Sequence, residues 1–324
     1  MAERRGLQEL LHDLSRPSID GLFKLSSLVI AAPVIVILAF SGIVLVGGSL
    51  PALAKYGFSF LTGVQWNIAA ETFGALPYVL GTAVTSLIAV VVGVPISLGI
   101  AIFLAEMAPV SIRVLLSNII ELLAAVPSII YGLWGFLVFR FWIANYVEAP
   151  LVHTFGSLPV FAGSPYGLDF LTAGLILSIM IIPTVASVSR EVMMSVPMSQ
   201  REAAYSIGAT KWEVVRTGVL SYSRSGIFGA TILGLGRAVG ETMAVTLVIG
   251  GAVGPAALPT SLFKPGQTMA SIIVNELGEA DAGSLHLASL LGIGLILFAF
   301  AFTINVVAQF LVWRVLKVQG GPVE

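Results

Sequence analysis

Residues 190–224, REVMMSVPMSQREAAYSIGATKWEVVRTGVLSYSR, hold Arg190, Arg201, Lys211, Arg216 and Arg224, five of the sixteen basic residues, between two long apolar runs. A polar segment in that position is either a solvated loop or a folded docking element, and its internal order favours the second. Ser199-Gln200-Arg201-Glu202, following Pro197, has the form of a capping box, and Thr210-Lys211-Trp212-Glu213 has the form of another. Gly208 between them suits the left-handed turn that ends a helix. The stretch is therefore expected to form two short helices joined at a glycine corner. Ala203, Ala204 and Ile207 would share one face, small enough at the alanines for a partner's backbone to approach. Trp212, Val215 and Val219 repeat at helical spacing on the second helix.

The runs on either side identify the solvent. The chain of 324 residues is 57% hydrophobic and 10% charged, with mean hydropathy +1.00, more apolar surface than a soluble fold of this size can enclose. This is an all-α integral membrane protein. It has no cysteine, which excludes disulfides and thiolate metal sites, and its three histidines, His12, His153 and His286, are scattered. No G-x-x-x-x-G-K-S/T string occurs, so no nucleotide phosphate is cradled by a P-loop of this chain. The net charge of −1 decides nothing, and no nucleic-acid partner is expected.

Six membrane passes are expected, near 25–47, 79–104, 126–145, 169–189, 223–250 and 285–313, since about 20 apolar residues span a bilayer. Residues 1–24 form a cytoplasmic leader, 25–317 the permease domain containing the 190–224 loop, and 318–324 a tail. Pro127 separates an interfacial helix near 111–125 from the third pass. In the 48–78 loop, Trp66 and Tyr56 can sit at the headgroup level. Residues 146–168 form a Pro/Gly-rich loop. Met269, Ile272, Ile273 and Leu277 mark a short amphipathic helix lying on the membrane surface. Twelve basic residues fall in the leader, near 106–113, in the 190–224 loop and in the tail, whereas Lys55, Arg140 and Lys264 fall on the other side. The positive-inside rule then puts both termini and the docking loop in the cytoplasm.

One basic residue, Arg237, lies inside the fifth pass, in Gly234-Leu235-Gly236-Arg237-Ala238-Val239-Gly240-Glu241-Thr242. A charge there costs about 2.5–3.5 kcal/mol on insertion scales and calls for a partner or a wet cavity. Glu241, at i+4, would share its helical face, and Gly236 and Gly240 form a G-x-x-x-G that would admit another helix. A structural Arg237–Glu241 pair and a place in an ion pathway are both compatible with this spacing.

Glu202-Ala203-Ala204, followed after three residues by Gly208, resembles the EAA loop of the permeases of ABC importers. The usual Ile-x-Leu-Pro continuation is only partly met, by Gly218-Val219-Leu220-Ser221. The Arg237 string, with Gly240-Glu241-Thr242-Met243-Ala244-Val245, resembles the phosphate-specific members of that family, PstC type. Phe73 to Pro77, Glu106 to Pro109, Pro127 to Gly132 and Asn275 to Ala280 agree with it, so the likeness spans about 70–313. It implies the permease subunit of an ATP-driven phosphate importer of the bacterial inner membrane, working by alternating access, with no catalytic residue or cofactor of its own. It further implies a PstA-like sister permease, two copies of a PstB-type ATPase that binds the ATP, a periplasmic phosphate-binding protein, and membrane lipid around the helices. Glu202, Ala203, Ala204 and Gly208 would couple to the ATPase, and Arg237, Glu241 and Thr242 would line the path. The alternatives are a permease for another oxyanion, sulfate or molybdate, and an ion-coupled secondary transporter, for which inverted repeats and more intramembrane acids would be expected.

Overall fold

The long apolar runs fold as helices, and one of them is enclosed by the others. The computed structural model describes residues 19–315. In chain order it comprises α1 (Ile19–Tyr56), a two-stranded hairpin of β1 (Trp66–Asn67) and β2 (Thr72–Phe73), α2 (Leu76–Ile102), α3 (Val110–Ala125) and α4 (Ser128–Phe155). Then follow α5 (Phe170–Met194), α6 (Met198–Ser206), α7 (residues 211–240), α8 (Met243–Val248), α9 (Met269–Glu276) and α10 (Leu285–Val315). The expected leader over 1–24 lies largely, and the 318–324 tail wholly, outside the described residues.

Asp169 starts α5 by accepting the Thr172 N–H at 2.9 Å, which satisfies one of the four unpaired donors of a helix start. Ile176, Leu177, Ile181 and Val185 of α5 are buried all round, so this helix has no lipid-facing stripe along its middle. It packs on α2 and α7. The contact with α7 is made by small residues one turn apart: a Cβ on Gly226 would meet Val192, one on Gly234 would meet Val185, and Ala230 between them is buried. Small residues at that spacing let two helices close without a void. The expected G-x-x-x-G of Gly236 and Gly240 plays no such part, because a Cβ at either meets nothing within 4 Å. α1 is the opposite case: its apolar residues stay exposed and it packs on α10.

Five helices are long and apolar enough to cross a membrane: Leu25–Tyr56, Leu76–Met107, Ser128–Phe155, Phe170–Met194 and Leu285–Val312. The expected fifth pass is not among them. It is broken after Gly240, with the short α8 completing its course. Pro127 does separate α3 from α4, but α4 runs on through two π-helical turns to Phe155, well into the segment expected to be a loop from 146.

Two more expectations change at the end far from the 190–224 loop. Trp66 is buried, not interfacial: its ring lies 4.9 Å from Phe73 and 5.2 Å from Tyr78, and its indole N–H donates to Glu276 Oε2 at 2.8 Å. His286 Nε2 meets the same oxygen at 2.8 Å. α9 forms where its pattern placed it, but Met269 and Ile272 are buried in that protein cluster, so its apolar face covers α2 and α10 and does not lie on a membrane surface.

Candidate functional site: the docking loop and the arginine at the helix break

The 190–224 loop is built by one local signal that works and one that does not. α6 begins at Met198 with Pro197 as its N-cap and no side-chain cap bond, so the expected box from Ser199 to Glu202 is absent. Pro197 has no N–H of its own to satisfy, and its carbonyl accepts the Gln200 N–H at 3.1 Å. The second box is present. Thr210 caps the Glu213 N–H, and Glu213 Oε2 accepts the Thr210 N–H at 2.7 Å, which holds the Glu213 carboxyl below its usual range. Gly208 between the helices has φ +83°, the left-handed conformation its position required.

The helix after Thr210 is not short. A π-helical turn, Val214–Leu220, joins Lys211–Glu213 to Ser221–Gly240 without interruption. The docking element is therefore α6, the Gly208 corner and the free start of α7. Glu202, Ala203 and Ile207 are exposed, Ile207 at 84%, and Ala204 is half-buried. Trp212 is exposed too, while Val215 and Val219 are buried against the chain's own helices.

Beneath α6 lies a contact the sequence gave no sign of. Arg201 Nη2 pairs with Glu106 Oε1 at 2.8 Å and with the Met193 carbonyl at 3.0 Å, and Nη1 donates to the Val196 carbonyl. Both side chains are largely buried. Glu106 sits in the π-helical turn Phe103–Met107 that ends α2, so one guanidinium ties the docking helix to the ends of α2 and α5.

Arg237 occupies the last turn of Ser221–Gly240, where the helix dipole favours a cation. The helix stops three residues later. Glu241 has extended backbone, φ −69° and ψ 129°, so the i+4 geometry that would have stacked its carboxylate on Arg237 does not exist. Its Oε1 instead accepts the Ala244 N–H at 3.2 Å, at the start of α8. Thr242 leads into α8: its hydroxyl donates to the Gly240 carbonyl at 3.2 Å, and its own carbonyl accepts the Thr246 hydroxyl. Arg237 Nη1 donates to Thr184 Oγ1 of α5 at 2.9 Å, and among the described residues it makes no ion pair. The expected Arg237–Glu241 pair is thus replaced by two separate contacts. A guanidinium has five N–H donors; here one neutral hydroxyl takes up one of them, and Arg237 is only half-buried.

The docking loop and the break are joined by α7, which carries both. Irregular backbone at membrane depth is tolerated where it is enclosed by protein or lines a wet cavity.

The model of a family described as binding-protein-dependent transport system inner membrane component matches residues 97–317. The phosphate transport system permease protein PstC of Pasteurella multocida (strain Pm70) is 43% identical over 321 residues, 98% of this chain and 99% of that relative. That of Mesorhizobium japonicum is 44% identical over 300 residues, 91% and 90% of the two chains. PstC 1 of Mycobacterium tuberculosis is 35% identical over 291 residues, 83% and 86%. A solved inward-facing structure of the MetNI methionine ABC transporter aligns with a TM-score of 0.50 at 17% identity, covering 75% of this chain and 94% of that one, a likeness of fold alone. This chain is a multi-pass inner-membrane permease and belongs to the family of binding-protein-dependent transport system inner membrane components, which it shares with the PstC permeases.

Proposed function

We propose that the chain is the membrane permease subunit of an ATP-driven importer of inorganic phosphate, with Arg237 in the path of the anion. The observation that carries the reading is the bonding of Arg237, a permanent cation whose described partner is a neutral hydroxyl. A planar guanidinium matches phosphate oxygens bidentately. One such group, without a second cation, attracts the anion and still releases it, as conduction requires. Glu241 and Thr242 shape the break beside it.

ATP is bound and hydrolysed by a separate ATPase. It docks on α6 and the Gly208 corner through Glu202, Ala203 and Ala204. Movement of α6 reaches α2 and α5 through Arg201 and Glu106, and reaches Arg237 along α7. The helices then rock so that the path opens alternately to each side. The partners are a PstA-like permease, two PstB-type ATPase subunits and a periplasmic phosphate-binding protein. α7 with α8 makes the fifth of six passes, and both termini and the docking loop face the cytoplasm.

Uptake tests this. In cells lacking their own phosphate importers, the chain with its co-purifying subunits should restore energy-dependent phosphate uptake and leave sulfate and molybdate uptake unchanged. In the same intact cells an impermeant thiol reagent should label a cysteine at Ser284 and spare one at Ser199. Restored sulfate or molybdate uptake without phosphate uptake would overturn the assignment, and labelling at Ser199 would overturn the orientation.

A further inference from the structure

Arg140, one of the three basic residues assigned to the side opposite the docking loop, lines a cavity. It has a volume of about 490 Å³ and is lined by Arg140, Asn145, Ser164, Tyr166 and Phe263 among others. Lys264, between the lining residues Phe263 and Pro265, does not line it and donates its amine to Thr260 Oγ1 at 3.0 Å. Arg140 is in α4, not in a loop. Its guanidinium carbon lies 4.6 Å from the Phe136 ring centre and 4.3 Å from that of Phe141, two cation–π contacts that fix the group without using its N–H donors.

Those donors are idle. Arg140 Nε is buried without a hydrogen-bond partner, and among the described residues the side chain makes no hydrogen bond or ion pair. Every other arginine there that is not exposed donates to protein: Arg113 to carbonyls, Arg190 to Ser117, Arg201 to Glu106, Arg237 to Thr184. A guanidinium held rigid with unused donors beside a cavity is prepared for a planar acceptor, because little conformational freedom is left to lose on binding.

The nearest acids do not take that role. Glu148 and Asp169 are buried, and neither is bonded to Arg140. Their hydrogen bonds come from the Gly167 N–H, at 3.1 Å, and from Thr172. They anchor the 164–168 loop that walls the cavity.

The level is that of the headgroups. Phe170 is about twelve residues from the middle of the span Phe170–Met194, so the cavity beside Leu168 lies about 18 Å from that middle along the helix axis. Half the hydrocarbon thickness is about 15 Å. Exposed Phe141 and Tyr166 line it, and Trp142 and Tyr146 are exposed on the same stretch of α4, aromatic residues of the kind found at a membrane–water interface.

The geometry points to a binding site for a phosphate-type oxyanion in this cavity, with Arg140 as the ligand fork. The anion is a phospholipid headgroup or free phosphate, so the site does not depend on the transport reading. The full chain with its partner subunits would be titrated with phosphatidylglycerol vesicles and separately with inorganic phosphate, the latter in an Arg237→Gln background that removes the other candidate cation. One probe should bind saturably, at least tenfold more weakly after Arg140→Gln and partly restored by Arg140→Lys. Ser164→Trp, on the exposed loop, should weaken binding by filling the cavity, and it decides the matter if Arg140→Gln does not reach the membrane. Dependence of the lipid alone assigns a headgroup site, and dependence of phosphate alone assigns a waiting site for the free anion. Binding of both probes unaffected by Arg140→Gln, or by Ser164→Trp where that variant decides, overturns the proposal.

Discussion

Arg201 and Arg237 sit at the two working ends of the molecule and are bonded in opposite ways. Arg201, under the docking helix, has a carboxylate at 2.8 Å and two backbone carbonyls. Arg237, at the helix break, has one hydroxyl. An arginine bonded to a carboxylate and two carbonyls is a joint: its charge is neutralised and it holds three elements in register. An arginine that spends one donor on a neutral group remains a cation in search of an acceptor. The difference lies in what surrounds the two side chains, since the residue is the same.

Substitutions that probe the comparison fall in a definite order of stability cost. Arg201→Met should cost most, about 3 kcal/mol, because it strands Glu106 as a largely buried, unpaired charge. Membrane abundance should drop, and adding Glu106→Gln should recover it. Equal abundance of the single variant and wild type would show that Arg201 is no joint.

Gly208→Val should cost roughly 1–2 kcal/mol, the penalty for a left-handed conformation in a residue with a Cβ. A Cβ there meets nothing within 4 Å, so strain is the whole effect. Abundance should stay near wild type while uptake and ATPase co-purification are lost, since relief of the strain turns α6 relative to α7. Full uptake would remove Gly208 from the coupling. Thr210→Ala, which opens the capping box on an exposed turn, should cost about 1 kcal/mol and change uptake less than twofold. A loss as large as that of Gly208→Val would mean that the start of α7 is itself an ATPase contact.

What was legible beforehand was local or compositional. The apolar runs gave the spans, Pro127 the boundary before α4, and Thr210, Glu213 and Gly208 the turn into α7, because caps and left-handed corners are decided by three or four adjacent residues. The break after Gly240 was not legible. No proline marks it, and i+4 periodicity carried the helix through Glu241, whereas the Ala244 N–H and the packing of α8 end it there. The Glu106–Arg201 pair joins residues 95 positions apart, and Trp66 reaches Glu276 across 210, so no local pattern announces either. The same limit misread the glycines: Gly226 and Gly234 face α5, while the more obvious Gly236 and Gly240 do not.

Arg237→Gln stands last in stability cost and is the most telling in function. Because Glu241 is bound to the Ala244 N–H and not to Arg237, the substitution strands no acid, and abundance and thermal stability should match wild type. The measurement is phosphate uptake by the assembled transporter in proteoliposomes, with the binding protein and ATP supplied and protein amounts matched. If Arg237 meets phosphate in transit, uptake should fall at least a hundredfold at unchanged stability. Uptake within a few-fold of wild type from a fully stable Arg237→Gln transporter would contradict the account at its centre.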